Sequence, residues 1–280
     1  ICSCDNIFTM LLLIVVVGNN RFSYISKILD DVDVAMSKAK PKTITIITSC
    51  GRKLRFLVKQ EKNGDLRKDA RMMEVGNIMN RLLSENFDGR SRKLSLRTFA
   101  VACMNEECGI LEWVNDTSCI RHLIADAGYY FPEGMFPVAN LKEVFAPFDE
   151  MQKRYRNNIE ELVTAYRQMM TGVYKPCFHR WFLETFPDSM QWYMARETFT
   201  RSTAVWSAVG HIIGLGDRHI ENILVDVTNG ECVHVDFDCL FDKGLSLKLP
   251  EIVPFRLTPN LIDAMGVSGI EGCFRNVMEL

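Results

Sequence analysis

Gly214-Leu-Gly-Asp-Arg-His-Ile-Glu-Asn222 runs directly into Ile223-Leu-Val-Asp-Val-Thr-Asn-Gly-Glu-Cys-Val-His-Val-Asp-Phe-Asp238, and this stretch decides how the chain is interpreted. Asp217 and Asn222 are five residues apart, and Asp236 follows a short hairpin. The spacing is typical of a phosphoryl-transfer site, with one proton acceptor and two magnesium ligands. A single Asp–Asn pair would more simply be a surface Asx turn. The whole string with its hairpin favours the phosphoryl-transfer interpretation.

The hairpin itself is predicted from Asn229-Gly230, which lies between two runs of β-branched residues. A two-residue turn there would place Asn222 and Asp236 at the same open end. Their amide and carboxylate oxygens are ligands that Mg²⁺ accepts. The turn predicts these pairs: Asp226 with Val233, Leu224 with Val235, and Ile223 with Asp236.

The composition is that of an ordinary globular protein. The 280 residues are 48% hydrophobic and 24% charged, with a net charge of −2, which gives no indication of a nucleic-acid-binding surface. The 10 cysteines lack the paired spacing of a zinc site. The apolar run Ile7–Val17 is shorter than the roughly 20 residues that span a membrane. The length favours a buried strand, or sequence foreign to the natural protein, over a membrane anchor for this run.

The first part of the chain is predicted to be β-rich. The periodicity of residues 22–40 favours a helix, and Leu66 to Leu83 favours a second one. Strands are predicted at Thr43–Thr48, Lys53–Lys59, Leu94–Cys103 and Cys108–Val114, with a turn at Ser49–Arg52.

Beyond residue 115 the pattern becomes helical. We therefore expect an unassigned apolar segment over 1–20, a β-rich lobe over 21–114 and a helical lobe over 115–280. The helical lobe contains the loop 214–222 and the segment 236–258. Helices are predicted at Thr117–Ala125, Leu141–Phe145, Asp149–Met170, Cys177–Phe186 and Ser189–Leu215.

Several strings resemble the phosphatidylinositol 3-kinase-related protein kinases, and most closely their ATR type. In that family the order Asp-Arg-His replaces the His-Arg-Asp of ordinary protein kinases. The similarity runs from about residue 40 to the end. The strings that carry it, besides Gly214 to Asp238, are Asp65-Leu-Arg-Lys-Asp69, Glu107-Cys-Gly-Ile-Leu-Glu-Trp-Val-Asn115, Arg201-Ser-Thr-Ala-Val205 and Pro250-Glu-Ile-Val-Pro-Phe-Arg-Leu-Thr258.

The resemblance implies an α+β, bilobal protein-kinase-like fold of the phosphatidylinositol 3- and 4-kinase type, with a β-rich N-lobe and a helical C-lobe. It implies that Asp217 is the catalytic base and that His219 helps to stabilise the transferring phosphoryl group. Asn222 and Asp236 would coordinate Mg²⁺, or Mn²⁺ in its place. The segment 236–258 would be the activation loop.

The resemblance also implies an ATP site. Lys59 would contact the phosphates and Asp69 would orient it. Ser49 opens the short loop that would cover the phosphates. Trp113 and Val114 would lie at the hinge, with the indole against adenine and the Val114 amide bonded to it.

There are departures from the family pattern. Phe99 stands where a tyrosine is common, so a hydroxyl is missing there. We also expect the chain to be a fragment with an incomplete C-lobe, which would expose apolar surface.

Three functions remain open at this level: a Ser/Thr protein kinase of damage and replication-stress signalling, a phosphoinositide lipid kinase, and an inactive scaffold. An inositol-lipid kinase is expected to carry a basic cluster in its activation loop. Here Lys243 and Lys248 are offset by Asp238 and Asp242, which favours a peptide acceptor. The family further implies Ser/Thr-Gln substrates, an adaptor bound through regions outside this chain, a nuclear location, and no direct contact with nucleic acid or membrane.

Overall fold

The computed structural model describes residues 15–17, 21–34, 40–60, 65–126, 150–151, 153–154, 158–172, 175–247 and 250–280. These residues form two compact units. Unit 1 comprises 1–85, 96–115 and 236–238, and unit 2 comprises 86–95, 116–235 and 239–280. The lobe bounds expected from the sequence remain a prediction.

Unit 1 is built on an antiparallel sheet whose described strands run in the order β3-β4-β5-β7-β6. The strands are β3 (Ile25–Val34), β4 (Lys42–Thr48), β5 (Lys53–Gln60), β6 (Val101–Cys103) and β7 (Cys108–Glu112); a separate pair is β1 (Val15–Val17) with β2 (Arg21–Ser23). Helix α1 (Arg67–Glu85) buries Met72 and Met73, the apolar residues of its first two turns. The hairpin β4–β5 and helix α1 are confirmed as predicted.

The helix predicted over residues 22–40 is wrong, because Ile25–Val34 is an edge strand. Its pairing with β4 shifts register between Ile25 and Lys27 and again between Ile28 and Val32. Such bulges interrupt the two-residue alternation of a strand and produce apolar spacings of three and four. The sequence pattern therefore resembled a helix. The predicted strand Leu94–Cys103 is also shorter, since its regular part is β6.

Unit 2 is mainly helical. Its longer helices are α3 (Ile159–Gly172), α4 (Phe178–Thr185) and α5 (Ser189–Ile212); shorter ones are α2 (Phe87–Ser91), α6 (Pro259–Ala264) and α7 (Cys273–Met278), with 3₁₀ turns at Lys243–Ser246 and Gly269–Glu271. Asp188 caps α5 by accepting from the amides of Met190 and Gln191. The core packs Phe178, Phe182 and Phe199 with ring centroids 5.4–5.6 Å apart. Helices α4 and α5 agree with prediction, whereas Leu141–Phe145 lies outside the described residues and Asp149–Met170 falls partly outside them.

A small sheet in unit 2 has the described order β10-β9-β8, from β8 (Thr117–Cys119), β9 (Ile223–Asp226) and β10 (Cys232–His234). The helix predicted over Thr117–Ala125 is therefore wrong at its start. Thr117 pairs with Asp226, more than a hundred residues away, and helical structure begins only at Ile120 and continues as a π turn over His122–Asp126. This long-range pairing overrides the local pattern.

The predicted register of the β9–β10 hairpin is wrong by two residues. Val233 pairs with Leu224, and His234 pairs with Ile223. The loop is four residues long because the Asp226 amide bonds to the carbonyl of Glu231 and the Asp226 side chain accepts from Thr228. A shift of two keeps every side chain on its predicted face.

None of the helices in the described part of the chain is both long and apolar enough to cross a bilayer.

Candidate active site

Unit 1 brings together three of the residues singled out from the sequence. The ammonium nitrogen of Lys59 lies 3.4 Å from Oδ1 of Asp236 and 3.8 Å from Oδ2 of Asp69. Lys59 is held at the end of β5 opposite Gly109, and Asp69 lies in the first turn of α1. The Lys59 side chain is 11% exposed and that of Asp236 is 44% exposed, so solvent reaches the outer carboxylate.

Asp69 is the inner carboxylate of this cluster. Its Oδ1 accepts from the amide of Phe237 at 3.1 Å. Burial raises the pKa of Asp69 from its ordinary 3.8 to about 6, although Lys59 and the Phe237 amide act in the opposite direction. Asp236 adds to the rise by like-charge repulsion. Asp69 is therefore a carboxylate that Lys59 keeps charged at neutral pH despite its burial.

Phe237 is anchored in the core of unit 1. Its ring is fully buried and stacks on Phe99 with centroids 6.4 Å apart. This contact gives Phe99 a packing role that needs no hydroxyl.

Unit 2 holds the loop 214–222, in which Asp217, His219 and Asn222 lie. The Nδ2 of Asn222 donates to the Asp217 carbonyl at 3.0 Å. The amide of Val235, the residue before Asp236 in the chain, donates to the Asn222 carbonyl at 3.1 Å. The pairing of the two hairpin strands therefore continues one residue beyond Ile223, to Asn222.

Arg218 and Glu251 are two residues to which the sequence analysis gave no role. Arg218 is buried, and its guanidinium donates to the carbonyls of Gly216 at 2.9 Å and Val235 at 2.8 Å. The Oε2 of Glu251 accepts from the Asp217 amide at 2.7 Å. Both residues belong to quoted strings, but neither spacing nor residue type indicates which main-chain group a side chain will bond.

His219 is exposed, and its Nδ1 accepts from the amide of Glu221 at 3.2 Å. This bond orients the ring. Its predicted role toward a phosphoryl group stays a prediction.

Asp217 and Asp236 both have a left-handed backbone, with φ of +57° and +64°. Residues other than glycine seldom adopt this conformation, and aspartate is among those that tolerate it best. Local hydrogen bonds must therefore hold each aspartate in place, which is common at functional sites.

The remaining residues assigned to the ATP site lie in unit 1. Ser49 opens a turn in which Gly51 has φ of +79°, and its hydroxyl bonds to that of Ser23 at 2.9 Å. Trp113 is half-buried, with the guanidinium of Arg55 4.5 Å from its ring centroid. Val114 follows it. The turn is confirmed, while the contacts of Ser49, Trp113 and Val114 with a nucleotide stay predictions.

Asn222 in unit 2 and Asp236 in unit 1 each carry an oxygen of the kind that magnesium binds. Asn222 uses its amide nitrogen for the bond to Asp217, so Oδ1 is the atom that a metal would take. Asp236 contributes a carboxylate that is nearly half exposed. In the described residues no group of three or more His, Cys, Asp or Glu is arranged to hold a metal. Magnesium needs few protein oxygens, because it retains water and takes substrate phosphate oxygens. The roles of Asn222 and Asp236 as its ligands stay predictions.

Comparisons with known proteins indicate which family the chain resembles. Residues 56–280 match the family described as phosphatidylinositol 3- and 4-kinase. The serine/threonine-protein kinase ATR of Arabidopsis thaliana is 47% identical over 259 residues, which is 91% of this chain and 9% of that protein. The protein kinase rad3 of Schizosaccharomyces pombe is 40% identical over 90% of this chain and 10% of its own length.

A solved structure of the FAT and kinase domain of CtTel1 superposes with a TM-score of 0.82 and 34% identity, covering 96% of this chain and 19% of that one. The predicted α+β kinase-type fold is thereby confirmed. The chain spans about a tenth of the length of the curated relatives that it matches.

Proposed function

Because the chain belongs to the phosphatidylinositol 3- and 4-kinase family, we propose that it forms the phosphotransferase domain of a serine/threonine protein kinase. The observation that carries the proposal is the contact of the Lys59 ammonium with Asp69 and Asp236. A lysine paired with one buried and one exposed carboxylate is suited to bind phosphate beside a metal. The relatives from Arabidopsis and fission yeast are themselves named protein kinases.

ATP is the phosphoryl donor in this proposal. Lys59 contacts its phosphates, and Asp69 orients the ammonium through the 3.8 Å contact. The turn that begins at Ser49 covers the phosphates. Trp113 packs against adenine with its second face, since Arg55 covers the first, and Val114 bonds to the base through its main-chain amide.

Asn222 and Asp236 hold the divalent cation, which is Mg²⁺ or, in its place, Mn²⁺. When bound, the metal neutralises charge on the phosphates. Asp217 accepts the proton of the attacking hydroxyl, and His219 donates a hydrogen bond to the transferring group. Catalysis then depends mainly on positioning and charge.

The acceptor is proposed to be Ser or Thr followed by Gln in a protein substrate. The activation segment 236–258 supports a peptide, because Lys243 and Lys248 are offset by acidic neighbours. By likeness to the checkpoint kinases we place the protein in the nucleus, in DNA-damage and replication-stress signalling. An adaptor would bind regions outside this chain, and this segment would contact neither nucleic acid nor membrane.

The test is a phosphate-transfer assay on the intact protein with radiolabelled ATP. Three acceptors are compared: a Ser-Gln peptide, the same peptide with Ser-Ala, and phosphoinositide vesicles. We expect transfer to the Ser-Gln peptide at least about 10-fold faster than to either of the others, which is a difference of about 1.4 kcal/mol in the barrier. Transfer mainly to vesicles would establish the lipid kinase instead, and no transfer to any acceptor would favour the inactive scaffold.

A further inference from the structure

Glu251 reaches from the activation segment to the main chain of the catalytic loop. Its Oε2 accepts from the Asp217 amide at 2.7 Å, a bond between an ionised acceptor and a backbone donor. Asp217 is the residue whose φ of +57° has to be maintained by its surroundings. The carboxylate therefore acts on the backbone of Asp217 and leaves the side chain of Asp217 available for chemistry.

The space for this carboxylate is made by two glycines. A Cβ on Gly216 would lie 2.7 Å from Oε2 of Glu251, and a Cβ on Gly244 would also lie 2.7 Å from it. In addition, the Glu251 amide donates to the Gly244 carbonyl at 3.0 Å. The position of Glu251 is thus determined by its own backbone and by two neighbours that lack side chains.

Main-chain bonds join the same two segments beside Glu251. The amide of Gly216 donates to the Cys239 carbonyl at 2.8 Å, and the amide of Asp242 donates to the Gly214 carbonyl at 3.1 Å. These bonds align the segments but do not reach Asp217. Glu251 adds the link from the far end of the activation segment to the backbone of the proposed base.

We propose that Glu251 is the positioning residue that holds Asp217 in its left-handed conformation and couples the state of the activation segment to the catalytic base. The inference rests on the proposed function and deepens it. A change that draws residue 251 away from the catalytic loop removes the acceptor for the Asp217 amide, and Asp217 then relaxes toward ordinary backbone angles. The kinase would thereby be switched through the geometry of its base, with nucleotide binding left intact.

The test compares Glu251→Ala with Glu251→Gln in the intact protein. Glutamine keeps a carbonyl acceptor of the same reach, whereas alanine removes it. We expect the alanine variant to lose about 10- to 100-fold in kcat, the scale of a misplaced catalytic group. The KM for ATP should stay within about 2-fold, because ATP is bound by other residues. The glutamine variant should recover most of the kcat. Ser246→Ala is the matched control in the same segment, since the Ser246 hydroxyl bonds only to the local carbonyl of Lys243 in the described contacts.

Amide hydrogen exchange gives a readout that does not depend on activity. The catalytic-loop peptide containing Asp217 should exchange faster in Glu251→Ala than in the wild type, and should be near wild type in Glu251→Gln. If the alanine variant does not fold, Glu251→Asp replaces it, because the shorter side chain withdraws the acceptor while retaining the charge.

The outcomes separate the two proposals. An inactive wild type with faster exchange in Glu251→Ala would contradict the proposed function but retain the positioning role. Unchanged kcat and unchanged exchange in Glu251→Ala would overturn the inference, as would a glutamine variant that loses as much as the alanine variant.

Discussion

The Lys59 cluster of unit 1 and the Asp217 loop of unit 2 are held in different ways. In the cluster, charged side chains face one another at 3.4 and 3.8 Å. In the loop, Arg218 and Glu251 bond to main-chain groups at 2.7–2.9 Å. Ion pairs at such distances are readily exchanged for phosphate and metal, whereas short bonds to backbone determine the path of a loop. We infer that the cluster is organised for binding and the loop for the position of a reacting group.

The largest expected effect is on the loop. Asp217→Asn should reduce phosphate transfer by about 10³-fold or more, since a positioned base contributes roughly 10²–10⁴ and the amide cannot take the proton. Asparagine tolerates the left-handed backbone, so the fold should be retained. The measurement is kcat with the Ser-Gln peptide.

Asp242→Asn is the matched control for this substitution. Asp242 also has a left-handed backbone, with φ of +57°, and is exposed in the same unit. It should retain transfer near the wild-type rate. Substantial turnover by Asp217→Asn would contradict the assignment of the base.

The next effect concerns the cluster and depends on pH. Because the folded pKa of Asp69 is raised from 3.8 to about 6, its contribution to stability is fully present below pH 3.8 and is lost as the pH rises through 6. Asp69→Asn removes this dependence. Between pH 4 and 6.5 the variant should therefore gain stability relative to the wild type, its free energy of unfolding rising by on the order of 2–3 kcal/mol more.

Thermal melts of the wild type and Asp69→Asn across this pH range measure the difference. A constant gap between the two melting temperatures would show that the buried carboxylate carries no such cost. Asp65→Asn provides a control on a half-buried aspartate that lies just before α1 and bonds to Arg67.

The smallest effects compare one turn from each unit. Gly51 has φ of +79° and Gly230 has φ of +78°, but a Cβ on Gly51 meets nothing within 4 Å, whereas a Cβ on Gly230 lies 2.4 Å from the carbonyl oxygen of Ala195. Gly51→Ala should cost about 1 kcal/mol from backbone strain alone. Gly230→Ala should cost at least about 2–3 kcal/mol, because overpacking is added. Equal losses in melting temperature would mean that the Gly230 turn is as open as the Gly51 turn.

Sequence reasoning succeeded where the determining interactions are local or specific to the family. The hairpin of β4 and β5 and the helix after Leu66 belong to this class. It failed for Ile25–Val34, whose bulges depend on pairing with β4, and for Thr117–Cys119, whose partner lies more than a hundred residues away.

The register predicted for the β9–β10 hairpin was wrong for a related reason. The Asp226 side chain caps a four-residue loop in place of the two-residue turn. The bond from the Asp217 amide to Glu251 also joins residues 34 apart, and no periodicity or turn signal indicates such a contact. The sequence therefore supplied candidate residues for the site, whose roles stay predictions, and gave no signal for the contacts that hold them.

The equilibrium affinity for ATP in the presence of Mg²⁺ tests most directly whether the Lys59 cluster serves binding and the Asp217 loop serves reaction. It is measured by calorimetry on Asp217→Asn and Asp236→Ala in the intact protein. We expect Asp217→Asn to bind within about 2-fold of the wild type and Asp236→Ala to bind at least about 10-fold more weakly, a loss of about 1.4 kcal/mol. Unchanged affinity in Asp236→Ala, or an equal loss in both variants, would contradict the account.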